Sequence, residues 1–147
     1  MAKTKISDLG SKIAVDDRDE KYIPALGDGT AVPGDLCYID PSDGKAKGSD
    51  VGVVEFFSGI MAESKITGTE TAIVAGVPCE LLQPKSGHNY RIRIDDLGGT
   101  VVHGNAVKFG ANAGKAIKTT NLLDPGIIGR LALEGLNGDT VCEITWV

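Results

Sequence analysis

The chain has 147 residues, 41% of them apolar and 24% charged, with a formal net charge of −5 and a pI near 4.9. A chain of this size buries about two-thirds of its unfolded surface, so it can fold without metals or disulfides. The acidic balance argues against a direct grip on nucleic-acid phosphate, and one Trp, three Tyr and three Phe are too few for a base-stacking platform.

Residues 1–20 read as an N-terminal arm, either flexible or ordered on a partner. Lys3 and Lys5 open it and an acidic run, Asp16 to Glu20, closes it. Ile6, Leu9 and Ile13 have helical spacing, but Gly10 and Ser11 oppose a stable helix. The N-terminus lacks the apolar core of a signal peptide, and no apolar run approaches a membrane span.

Residues 21–147 read as a β-rich globular domain. Tyr22 to Leu26 is short and apolar, and Leu36 to Ile39 is the first clear strand, entered through the Pro33-Gly34-Asp35 turn. Asp40 to Asp50 is expected to be an exposed, mobile loop. Val51 to Met61 is a nearly continuous apolar run, read as a strand buried on both faces or covered by a partner. Phe56 and Phe57 would then face opposite ways, which makes Phe57 a candidate subunit contact.

Thr71 to Val77 is β-branched and reads as a strand that Pro78 bends or places at an edge. Tyr90 to Asp95 alternates with period two. Tyr90, Ile92 and Ile94 are expected inside, whereas Arg91 and Arg93 are expected at water or at a second subunit. Ala106 to Phe109 and Lys115 to Thr120 are further short strands, and Asn137-Gly138 is a hairpin signal. The final strand, Thr140 to Val147, should turn Cys142, Ile144 and Trp146 inward.

Twenty glycines punctuate these runs, and helix signals are almost absent. The fold class expected is all-β, a small sandwich or barrel. Gly29-Thr30 to Ile39 recurs in altered form as Gly99-Thr100 to Phe109, and Gly59-Ile60-Met61-Ala62 as Gly126-Ile127-Ile128-Gly129. Two motifs in one order point to duplicated β units, residues 29–82 and 99–147. The alternative is that glycine-punctuated β chains resemble one another.

No catalytic signature emerges. There is no Gly-x-Ser-x-Gly elbow, Walker loop or dinucleotide fingerprint, and His88 and His103 lie in glycine-rich turns. Asp40, Asp43 and Asp50 lack the pattern of an EF-hand, so no metal or cofactor is expected. Cys37, Cys79 and Cys142 have no zinc-ligand spacing and read as buried thiols from a reducing compartment. A site shared between subunits would escape single-chain motifs. Asp35, Asn105 and Arg130 are the residues an all-β trimeric hydrolase would use.

The succession Gly34-Asp35-Leu36, Gly59-Ile60-Met61-Ala62 and Gly76-Val77-Pro78 resembles the small β-rich capsid decoration (head-stabilising, cement) proteins of tailed bacteriophages and head-tailed viruses. The resemblance spans about Val32 to Glu80 and, less well, Gly99 to Ile144. It departs at Cys37, at Met61 and in the long loop around Gly44. It implies a non-enzymatic homotrimer on the virion capsid surface, made in the host cytoplasm. Its partner would be the major capsid protein, with no small-molecule substrate, nucleic acid or membrane. It further implies that the arm adds to a sheet of the shell, through Lys3, Lys5, Ile6, Leu9, Ile13 and Val15. A tail or adhesin component of similar build is the other virion reading.

Overall fold

The computed structural model describes residues 2–15, 19–50, 52–53, 56–95, 104–133, 135 and 138–147. Among the described residues, ten strands make two five-stranded antiparallel sheets packed as a sandwich. The first holds β1 (Lys21–Leu26), β2 (Leu36–Ile39), β3 (Ala46–Gly48), β4 (Phe57–Met61) and β5 (Pro78–Gln83). The second holds β6 (Asn89–Arg93), β7 (Ala106–Phe109), β8 (Ala116–Thr119), β9 (Ile127–Leu131) and β10 (Val141–Trp146).

The two sheets follow one path. Their spatial orders are β1-β5-β4-β2-β3 and β6-β10-β9-β7-β8. Register repeats with the order. Leu36, Cys37 and Tyr38 face Ile60, Gly59 and Phe57, while Ala106, Val107 and Lys108 face Arg130, Gly129 and Ile127. Both pairings slip at the same step, after Cys37 and after Val107. Each sheet also curls until its first and third strands are reached by one parallel bridge, Leu26 to Lys45 and Ile94 to Ala116. The shared Gly-Asp and Gly-Asn corners have one cause: Gly34 and Gly104 adopt φ of +93° and +95°, where a Cβ is disfavoured. The repeating units therefore run from 21 to 83 and from 89 to 146. They are wider than the motifs because β1 and β6 share no sequence signature, and the second motif is corrected by three residues: Gly59 matches Gly129 and Ile60 matches Arg130, not Gly126 and Ile127.

Three expected elements are corrected. Thr71 to Val77 is not a strand: Val77 N–H bonds back to the Val74 carbonyl, and Gly76 turns the chain at φ +81°. Pro78, without an N–H, opens β5 instead. The 40–50 loop contains β3 and is tied by Asp40 and Asp43 to the N–H groups of Ser42 and Lys45. Among the described residues of the 51–61 run, strand begins at Phe57.

The interior of the first unit is a small cluster of Ala31, Cys37, Ala46, Met61, Ile73 and Leu81. The matching positions of the second unit, Val107, Ala116, Leu131 and Ile144, lie in a larger cluster. That cluster also takes in Leu36, Ile60 and Leu82, which face outward from the first unit and have no exposure. Each such side chain contributes about 1.5–3 kcal/mol on burial. Their counterparts in the second unit are Ala106, the exposed Arg130 and Thr145, so the units are not joined by a two-fold axis.

Residues 2–15 lie on this body. A 3₁₀ turn spans Ile6–Asp8, and Ile6 and Ile13 are 0% exposed within the large cluster. Ala14 bridges Tyr90, the Arg91 N–H donates to the Ile13 carbonyl at 2.8 Å, and the Val15 N–H donates to the Asn89 carbonyl at 3.1 Å. The segment thus continues the second sheet beyond β6.

Candidate interaction surface

The ionisable groups serve the scaffold. Asp35 is 3% exposed, and its Oδ1 receives the Lys115 ammonium at 2.6 Å while Oδ2 accepts the Val32 N–H. Burial raises its pKa, and Lys115 opposes that rise. Asn105 occupies the equivalent corner of the second unit, and Arg130 is exposed on the neighbouring strand β9. Asp35 is thus in a different unit from Asn105 and Arg130, bonded to a lysine.

Glu20, with a side chain 1% exposed, meets His88 Nδ1 at 2.7 Å and accepts the Tyr90 hydroxyl at 2.9 Å. Burial and that carboxylate push the Tyr90 hydroxyl pKa well up. The cluster fastens the start of β1 to β6. His103 lies outside the described residues. Lys47 Nζ stands 2.7 Å from Asp40 and 3.2 Å from Asp43, filling with an ammonium the place a cation would take. Among the described residues, no three His, Cys, Asp or Glu side chains group as metal ligands. All three cysteines are free, and burial pushes the Cys37 and Cys142 thiols well up, away from thiolate chemistry.

The three residues read as subunit contacts are engaged within the chain. Phe57 stacks on Trp146 at 5.6 Å between ring centroids and meets Phe109 edge-on at 5.4 Å. Arg91 donates to the Lys12 carbonyl at 2.9 Å, and its Nε lies 3.4 Å from Glu143. Arg93 donates to the carbonyls of Pro33 and Thr69 and to Glu70 at 2.6–2.9 Å. Of the arm residues, Ile6 and Ile13 are enclosed, Leu9 packs partly on the core, Lys3 is half-buried, and Lys5 and Val15 face outward.

An open cleft of about 460 Å³ lies beside the Phe57–Trp146 stack, lined also by Pro84, Lys21 and Lys85. Its hydroxyl, Ser58 Oγ, accepts from the Ile39 N–H and donates to the Phe56 carbonyl, so no base activates it. The cleft sets the rings of Phe57 and Trp146 beside the ammonium groups of Lys21 and Lys85.

The sequence reading missed the most exposed apolar side chains. Ile66 is 91% exposed on a turn where Ser64 Oγ accepts from the Ile66 and Thr67 N–H groups. Leu122 and Leu123 are 75% and 91% exposed. Beneath them Asn121 Oδ1 accepts from the Leu123 N–H, and Asp124 gathers Thr119, Asn121 and Lys108. Both loops read as ordinary polar-flanked turns. The available signal was the pairing of bulky apolar residues with Ser, Asn and Asp at capping distance.

No protein-family model matches this chain, and no curated protein matches it. Among the described residues no helix is long and apolar enough to cross a membrane.

Proposed function

We propose that this protein is a structural component of a virion, a decoration or cement protein that binds the outer surface of an icosahedral capsid and stabilises it. In this reading it acts as a homotrimer on the major capsid protein and uses no cofactor or small-molecule substrate. One observation carries it beyond the sequence resemblance: Leu122 and Leu123 stand nearly bare on a hydrogen-bonded turn. Single exposed apolar residues are common, but a fixed adjacent pair loses little freedom when it binds, so more of its burial appears as affinity. Ile66 supplies a second such point. The outward arm residues, Lys5 and Val15, meet the shell at its margin, with Lys3 and Leu9 beside them, while Ile6 and Ile13 brace the arm from within.

The test is co-sedimentation of the full chain with capsid shells of its virus stripped of this protein. Saturable binding that falls about tenfold or more on the paired change Leu122→Asp and Leu123→Asp supports the reading. Absence of binding by the unsubstituted chain rejects it.

A further inference from the structure

The open cleft beside the Phe57–Trp146 stack lies on the seam between the two units. Lys21, Phe57 and Gln83 reach it from the first unit, Trp146 from the second, and Pro84 and Lys85 from the link that joins them. Small-molecule sites favour such junctions, and about 460 Å³ falls within their usual range.

The lining is rich in hydrogen-bond donors and carries one sign of charge. Lys21 and Gln83 are directly opposite in the β1–β5 ladder, so their side chains leave the sheet on the same face. Among the described residues neither side chain has a partner within the chain, and the Trp146 indole N–H donates to none. Lys85 donates to the Asp19 carbonyl, a contact that leaves its charge unneutralised. Among the described residues no carboxylate lines the cleft. Glu20, next to Lys21, is turned inward onto His88 and Tyr90, with its side chain 1% exposed.

We propose that this cleft binds an acidic saccharide. Lys21 and Lys85 hold its carboxylate, Gln83 and the indole N–H hold its hydroxyls, and the C–H face of a pyranose ring lies on the aromatic wall. Each part of the lining selects against an alternative. A phosphate group is favoured by arginine forks or by a nest of free backbone N–H groups. Here no arginine lines the cleft, Pro84 has no N–H, and the Lys85 N–H is taken by the Tyr90 hydroxyl at 2.8 Å. A nucleobase finds no slot between the rings, because Phe57 and Trp146 close on each other at 18° from parallel. A simple aromatic acid would engage the ammonium groups and leave Gln83 and the indole N–H unpaired. A sugar acid engages all four, since each of its hydroxyls both donates and accepts. The site stands independently of the virion reading.

The experiment is a calorimetric titration of the full chain at low salt with two acidic sugars, digalacturonate and sialyllactose, followed in parallel by Trp146 emission. Trp146 is the sole tryptophan and lines the cleft, so its emission reports occupancy there. Saturable binding of at least one sugar, with a dissociation constant of about 0.1–1 mM, is expected for an open, water-exposed site. The methyl ester of that sugar keeps the rings and removes the charge, and it should bind about tenfold more weakly. Lys21→Gln should weaken binding about threefold or more with an unchanged circular dichroism spectrum, and Lys21→Gln with Lys85→Gln about tenfold or more. Absence of saturable binding of either sugar up to about 10 mM overturns the proposal. So does equal affinity for acid and ester, affinity indifferent to both lysine changes, or tighter binding of adenosine monophosphate or benzoate than of both sugars. Should Lys85→Gln disturb the fold through its Asp19 contact, Lys21→Gln and the ester decide.

Discussion

Lys115 Nζ lies 2.6 Å from Asp35 Oδ1, and the two residues belong to opposite units of the chain. Asp35 is nearly enclosed, whereas the Lys115 side chain is 29% exposed. Removing the lysine therefore leaves a buried carboxylate without its cation. Lys115→Met is expected to cost about 2 kcal/mol, and Asp35→Asn plus Lys115→Met less than the sum of the two single changes. Urea unfolding of the four proteins measures this; strict additivity would refute a direct pair.

The same carboxylate sets a pH dependence. Burial raises the Asp35 pKa in the folded state above its ordinary 3.8, so folding favours the protonated form. Its contribution to stability is greatest below 3.8 and is lost as pH rises through the raised value. Asp35→Asn should flatten that part of the stability profile. A profile with the same slope in both proteins would show that Asp35 is not its source.

Glu70 works in the opposite direction at the arm. Its carboxylate accepts the Ile6 and Ser7 N–H groups, each at 3.2 Å, and pairs with Arg93 at 2.9 Å. Burial pushes its pKa up, but Thr69, Arg93 and the Ser7 N–H outweigh burial and hold it below 4.5. Stability from this group is present above 4.5 and lost as pH falls through the lowered value. After correction for intrinsic exchange, protection of the Ile6 and Ser7 amides should fall on acidification, and Glu70→Gln should lower it at neutral pH. Other carboxylates are also stabilised, so these two amides, not global unfolding, are the diagnostic.

Gly59 and Gly129 occupy matching sites and leave no room for a side chain. A Cβ on Gly59 would meet the Leu82 carbonyl oxygen at 2.7 Å, and one on Gly129 would meet that of Thr145. Both obstacles are backbone of the paired strand, so relief requires the ladder to shift. Gly59→Ala and Gly129→Ala are each expected to cost about 3 kcal/mol. Gly68→Ala, with open space but φ +77°, should cost about 1–2 kcal/mol. Equal melting temperatures for the three variants would contradict this ranking.

Those glycines also explain which parts of the fold were legible. A Gly-Thr-x-Val-x-Gly corner is visible in sequence because few residues other than glycine tolerate the backbone at its end, and it led to the all-β class and to the repeat. Alternation identified Tyr90, Ile92 and Ile94 as interior because the opposite face of that strand carries the charged Arg91 and Arg93, although both are covered and paired within the chain. The Thr71–Val77 error had the reverse cause, since β-branched residues also suit a turn-rich segment held by Ala31 and Val74. Phe57, Arg91 and Arg93 stood out as surplus surface groups, yet their partners are the other unit, the arm and, for Arg91, Glu143 on the paired strand β10, separated in sequence by up to 89 positions in the Phe57–Trp146 case. No local pattern reports such a pairing. Leu122 and Leu123 were hidden for the same reason, because exposure is a property of what fails to arrive from elsewhere.

The edge of β1 yields a further test. On β6 the Arg91 N–H binds the arm, and Pro24 removes the matching donor on β1. Proline at an exposed edge discourages strand addition. Pro24→Val should restore the donor and raise concentration-dependent association by strand pairing, read by light scattering and thioflavin binding. A variant as inert as the parent would mean that other features of β1 already block the edge.

Trp146 is the sole tryptophan, and it stacks across the seam on Phe57 while its edge meets Tyr90 at 6.4 Å. Its emission therefore reports the joining of the units, whereas circular dichroism reports strands in both. Because Leu36, Ile60 and Leu82 of the first unit are buried in the core shared with the second, separating the units would open that core and bare those three side chains, although the small cluster around Cys37 lies within the first unit alone. The two signals should then lose amplitude at one urea concentration. Phe57→Ala should remove about 2 kcal/mol, less than a fully buried Phe because the ring is only half-buried, and should shift the native emission to longer wavelength. If fluorescence changes first while circular dichroism persists, the units are separately stable bodies and the seam is a contact between domains. That outcome would also detach the stability of the repeat from the large core, leaving the second unit to fold around Val107, Leu131 and Ile144 without the first.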